Sequence, residues 1–268
     1  MSDQPIIDYR VKHAEEVIRD TYGQSASVDS KKKDLRKWGE NTEVGTALTS
    51  IMTLPTGITA ETYISTNGIT TIVSTSASDT QNITFYEGNT ISGSDLTFVN
   101  DSTVTALTGQ TGVTLNTPVA RITRARLSSP AVGTIYFYEG GTTTAGVPDD
   151  LSTVHMIIPA GEMQSQKAAT SISSNDYYII SGATATVLEK TSAWAQVRIE
   201  IKPVSESNYF PITEWVGVSD SSGSVPLIHN GDPFLIVPSN HDVRLAAKAN
   251  TSGIHVAGGM IGYLAKKI

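Results

Sequence analysis

From Thr46 onward the sequence is a succession of short β-type runs, each closed by Gly, Asn, Asp, Ser or Pro. This punctuation limits what the chain can fold into. The runs include 70–74, 82–86, 119–127, 134–138, 154–158, 176–180, 195–201 and 233–237. Several alternate in polarity: Ala195, Val197, Ile199 and Ile201 fall on one side of a strand, and Gln196, Arg198 and Glu200 on the other. No helical crossover separates the runs, so the pattern predicts an all-β fold, an antiparallel β-sandwich or jelly roll. The last runs, 233–238, 242–249 and 254–264, are expected to close its core.

Residues 1–43 differ from this body. They hold 8 Lys or Arg and 9 Asp or Glu. Ile7, Val11, Ala14, Val17, Ile18 and Tyr22 recur at helical spacing, with Pro5 suited to a first turn and Gly23 to a stop, which predicts an amphipathic helix. Its apolar stripe either caps the core of the body or docks on a neighbouring subunit. A polar linker, 23–30, leads to Lys31, Lys32, Lys33, Asp34, Leu35, Arg36, Lys37 and Trp38. Such a run is either a solvated face or an electrostatic dock for an acidic surface, with Trp38 as anchor. The expected organisation is an N-terminal amphipathic helix and basic arm over 1–43, then a β-sandwich body over 44–268. The body is one large sandwich, or two small ones divided near 128–133.

Composition narrows function. The net charge of −7 argues against nucleic-acid binding, which needs a clustered basic surface. The absence of cysteine removes disulfides, zinc–thiolate sites and thiol nucleophiles. No stretch approaches the ~18 apolar residues of a membrane span, and the first residues carry no export signal, so synthesis in a cytoplasm is expected.

Searching for chemistry yields little. His13, His155, His229, His241 and His255 make no tight metal-ligand spacing; Asn230, Asp232, Asn240 and Asp242 near the C-terminal pair read as turn residues or as a loop-borne cation site. There is no GxSxG elbow, phosphate loop or GxGxxG fingerprint. Phe85-Tyr86-Glu87-Gly88 recurs 52 positions later as Phe137-Tyr138-Glu139-Gly140. The repeat predicts two equivalent strands ending in turns; Glu87 and Glu139 as paired glycosidase carboxylates is the competing reading. Trp194, Tyr209, Phe210, Trp215, Tyr177 and Tyr178 fill the core or recognise a glycan or protein receptor. No catalytic residue, metal or cofactor is assigned.

Trp38-Gly39-Glu40-Asn41, then the stretch 107–115 leading to Ala120-Arg121-Ile122-Thr123-Arg124-Ala125, then 157–165, resemble segments of β-rich virion structural proteins of tailed bacteriophages of aquatic bacteria. The resemblance implies a chain made in the host bacterial cytoplasm and incorporated in the virion. It implies a capsid decoration, or cement, protein that binds the major capsid protein or other virion proteins as a homo-oligomer, with a trimer favoured. The arm residues Ile7, Val11, Val17, Ile18, Lys31, Lys32, Lys33, Arg36, Lys37 and Trp38 would make that contact. A head-to-tail, tail or fibre component with a receptor- or glycan-binding body is the alternative.

Overall fold

A computed structural model describes residues 33–55, 58, 63–103, 105–189, 193–227 and 235–266. The predicted helix and its Ile7, Val11, Val17 and Ile18, with Lys31 and Lys32, lie outside the described residues.

The described chain begins with β1 (Lys33–Val44) and β2 (Thr49–Ser50). It continues through β3 (Ile69–Ser74), β4 (Asn82–Ser92), β5 (Asp95–Asp101), β6 (Thr105–Ala106), β7 (Val113–Val119), β8 (Arg121–Leu127), β9 (Ile135–Tyr138), β10 (Thr143–Thr144), β11 (Val147–Pro148) and β12 (Val154–Ile158). It ends with β13 (Ala169–Ile172), β14 (Asp176–Glu189), β15 (Trp194–Pro203), β16 (Phe210–Pro211), β17 (Val216–Ser219), β18 (Val225–Pro226), β19 (Leu235–Val237), β20 (His241–Ala249) and β21 (Ile254–Lys266). Among the described residues the only helical element is a 3-10 turn at Leu151–Thr153, and every strand ladder is antiparallel.

These strands make two sandwiches, one inserted in the other. The outer one packs a five-stranded sheet, β1-β21-β14-β18 with β19 beside β14, against a six-stranded sheet built on β13-β20-β15-β16 with β2 and β17. Alternation supplies its core: Ala195, Val197 and Ile199 of β15 meet Val243, Leu245 and Ala247 of β20 and Val256 and Met260 of β21. The inner sandwich packs β12-β9-β3-β7 against β5-β4-β6 with β8, around Ile72, Ile83, Tyr86, Ile122, Phe137 and Met156. A second cluster, including Tyr136, Tyr138 and Ile157, covers the other face of the β9 sheet beneath the β10–β11 hairpin. Buried on both faces, β9 and β12 read as continuous apolar runs rather than alternating ones.

The chain leaves the outer sandwich and returns to it at one place. Met52 bridges Lys167, and the Thr53 amide donates to the Gln166 carbonyl at 3.1 Å. Gly39 of β1 packs so tightly against the backbones of Ile51 and Ala168 there that a Cβ would overlap both.

Two expected boundaries fall within elements of the structure. Position 43/44 falls at the end of β1, which pairs with β21 from Lys33↔Leu264 to Val44↔Ile254, so residues 33–38 of the basic run belong to a strand of the body. The physical reason is alternation: Leu35, Lys37, Gly39 and Asn41 are buried while Arg36, Trp38 and Thr42 are exposed. Residues 128–133 lie inside the inner sandwich, where Asp79 accepts from the backbone amides of Val132 and Gly133. Burial alone would raise the pKa of Asp79, but these bonds, with those from Ser74 and Gln81, bring it below the ordinary carboxylate value.

The repeated Phe-Tyr-Glu-Gly segments are only partly equivalent. Tyr138 ends β9 and Gly140 turns the chain at φ 96°, whereas Glu87 and Gly88 continue within β4, held by β5 and β8.

Candidate functional site

Two surfaces concentrate the residues singled out in the sequence. The first is the outward face of the five-stranded sheet. Register places Trp38 opposite Gly259 and Arg36 opposite Ile261, all directed away from the core. The absent Cβ of Gly259 seats the indole, since a Cβ there would press on the Trp38 ring at 2.6 Å. Trp38 nevertheless stays 53% exposed, Ile261 52% and Leu188 of the neighbouring β14 49%. Ile179, paired with Tyr263, lies on the same side of the sheet but is buried. Arg36 is exposed beside Ile261. Lys37, expected on this surface, turns inward instead, because neighbouring residues of a strand project to opposite faces. Lys33 opens β1.

The second surface is a cleft at the seam between the sandwiches. Tyr63 and Arg121 line it from the inner unit, and Lys202, Tyr209 and Arg244 from the outer unit, enclosing about 460 Å³. Asp242 organises its floor. Buried on β20, it accepts from Arg121 Nε at 3.1 Å and from Ser171, and forms an ion pair with Lys202 at 3.1 Å. Glu200 on β15 holds Arg244 at 2.8 Å and is shared with Arg198. Four cations thus share two buried carboxylates, a local excess of positive charge on a chain that is acidic overall. The tyrosine rings lie against these cations: Arg244 sits 3.8 Å from the Tyr209 centroid, and Arg121 and Lys202 sit 4.7 and 4.6 Å from that of Tyr63. Burial works to lower the pKa of Arg244, but Tyr209, Tyr63 and Glu200 outweigh it and raise the pKa, so the guanidinium stays charged.

The remaining seam is also polar. Lys37 Nζ donates to Glu87 at 3.1 Å and to Thr123 at 3.2 Å, joining β1 to β4 and β8. Burial dominates at Lys37 and lowers its pKa to about 8, against the opposing pull of Glu87. Asn240, at φ 56°, accepts from the Leu96 amide and donates to Asp95, each at 2.9 Å.

The other sequence candidates separate. Glu87 pairs with Lys37, and Glu139 with His155 at 3.0 Å, in different sheets, so the two carboxylates serve separate contacts. His255 bonds Glu40 at 3.2 Å, and His241 bonds the Ser239 carbonyl. His229, Asn230 and Asp232 lie outside the described residues, and no cluster of three metal-ligating side chains occurs among those described. Tyr178 is core, Trp194 and Phe210 are exposed, and Trp215 stacks under Arg198 and Lys248. Only Tyr209 of the proposed aromatic platform reaches the cleft. Sequence reasoning missed Arg121, Lys202 and Arg244 as a site, because each stands in a strand that carries other charged residues: Arg124 and Arg126 in β8, Arg198 and Glu200 in β15, Asp242 and Lys248 in β20.

No known protein family matches the chain, and no curated protein matches it in sequence. Among solved structures it is similar to that of infectious bursal disease virus Gt strain, at 11% identity and a TM-score of 0.26, over 93% of this chain and 78% of that chain. It is also similar to the infectious bursal disease virus VP2 subviral particle, at 12% identity and a TM-score of 0.25, over 93% and 77% of the respective chains. At these TM-scores the likeness carries no functional weight.

Proposed function

We propose that this chain is a non-enzymatic structural protein of a virion, a decoration or cement protein that binds the assembled shell of a tailed-phage-type particle. The observation that carries the reading is the outward apolar strip of Trp38 and Ile261, on neighbouring strands, with Arg36 beside it and Leu188 exposed farther along β14. Exposed Trp and Arg at the centre of an apolar patch are the residues that dominate protein interfaces. Trp38 and Arg36 are carried by β1, the strand that directly follows the segment 1–32. Its partner-facing set is therefore Ile7, Val11, Val17, Ile18, Lys31, Lys32, Lys33, Arg36 and Trp38, with Lys37 removed because it is bonded within the protein. The resemblance of segments 107–115, 120–125 and 157–165 to virion proteins supports the same context. Those segments supply core residues such as Leu115, Ile122 and Ile158, a structural contribution. Many copies binding only the closed lattice would stabilise it by mass action.

The test is binding of the full chain to assembled, undecorated shells. Saturable binding at many sites, weakened about tenfold or more by Trp38→Ala, is the expected result. Binding of a few copies at the tail vertex would replace this role with a head-to-tail or fibre role. Equal binding by the variant would remove the strip from the interface.

A further inference from the structure

We infer that the seam cleft binds a small carboxylated saccharide. The inference stands apart from the virion role, since the cleft is built on the six-stranded sheet and the inner unit, away from Trp38.

Charge is the first argument. Arg121, Lys202 and Arg244 converge on one cavity, and among the described residues they and Arg198 share Asp242 and Glu200 as salt-bridged carboxylates; Glu206 stands exposed at the rim. Buried positive charge in excess of its partners favours an anion in the cavity. Donor geometry is the second. Of the five guanidinium N–H groups of Arg244, the bonds to Glu200 and Ser50 use three, and Lys202 spends two of its three on Asp242 and the Glu206 carbonyl. The remaining donors are two guanidinium N–H groups and one ammonium N–H, charged donors suited to a carboxylate.

Size and lining select the rest of the ligand. About 460 Å³ lies in the range of small-molecule sites and exceeds what a bare inorganic anion fills. Ser65, Ser205 and Ser207 line the exposed mouth, where hydroxyls both donate to and accept from a polyol. A uronic acid presents both features: one carboxylate for the cations and ring hydroxyls for the serines.

The experiment is calorimetric or NMR titration of the full chain with glucuronate, glucose and inorganic phosphate as probes. Saturable glucuronate binding that weakens with added salt is expected, with glucose and phosphate each at least about tenfold weaker. Lys202→Gln keeps a hydrogen-bond donor toward Asp242 while removing the charge, and should weaken glucuronate about tenfold. Ser205→Trp, at the exposed rim, blocks the mouth without touching the ion pairs and should abolish binding in a normally folded protein. Trp38→Ala should leave glucuronate affinity unchanged. Absence of saturable glucuronate binding, equal binding of glucose or phosphate, or full affinity in the Ser205→Trp variant would each overturn the inference.

Discussion

Lys37 of the first strand reaches Glu87 of the inserted sandwich across 3.1 Å, with both side chains almost wholly removed from solvent. Removing either partner strips the other buried charge of this compensation. Lys37→Ala is therefore expected to lower unfolding free energy by about 3–5 kcal/mol in denaturant titrations, and Lys37→Met combined with Glu87→Leu to recover most of that loss.

The same pair sets a pH dependence. Because the folded pKa of Lys37 lies near 8 and the ordinary value is 10.5, the unfolded chain holds a proton between those limits that the folded chain has released. Stability from this residue then rises with pH across that window, and the cost of its buried charge is fully present below pH 8. Comparing unfolding free energies at pH 7 and about pH 10, the Lys37→Met, Glu87→Leu variant should lack that increment.

Asp242 neutralises Arg121 and Lys202 together. Asp242→Asn keeps its shape and removes its charge, so both cations lose their counter-charge at once. A loss of about 3–5 kcal/mol is expected, large enough to show as a drop in Tm of several degrees by calorimetry.

The final strand is interior. β21 lies between β1 and β14 and supplies Ile254, Val256, Met260 and Leu264 to the outer core. A chain ending at residue 253 should expose two long strand edges and the apolar residues that faced this strand, and partition into the insoluble fraction on expression.

Gly39→Ala places a methyl group against the main chain of Ile51 and Ala168, which cannot swing aside as a side chain can. A destabilisation of about 1–3 kcal/mol is expected by denaturant titration, with the outer sandwich shifted where the insertion joins it.

Much of this fold was legible because local alternation reports burial. Ala195, Val197 and Ile199 announced a strand with one buried face, and they form it in β15. The run 31–38 misled because its charges hid the same alternation: Leu35 and Lys37 point inward although Lys37 is cationic, its partner Glu87 lying 50 positions away. Strand pairing was not legible at all. Trp38 faces Gly259 across the sheet, and nothing in either neighbourhood encodes the other. The cleft escaped for the same reason, since its cations stand at 121, 202 and 244 and become one site only when two sandwiches meet. Tyr209 alone was noticed, as an aromatic, before its cationic setting was visible.

Both covalent links of the inserted sandwich pass the single spot where Met52 bridges Lys167. Such a paired attachment is a pivot point for the insert, and bonds from the returning chain to β8, from the Ser165 amide to the Ala125 carbonyl at 3.2 Å and from Lys167 Nζ to the Ile122 carbonyl at 2.9 Å, resist its rotation. The ion pairs Lys37–Glu87 and Arg121–Asp242, with the Asn240 clamp on Asp95 and Leu96, then act as stays around that pivot. Weakening a stay would loosen the angle between the two halves and lower stability together, so in this protein the residues that set orientation also contribute to folding.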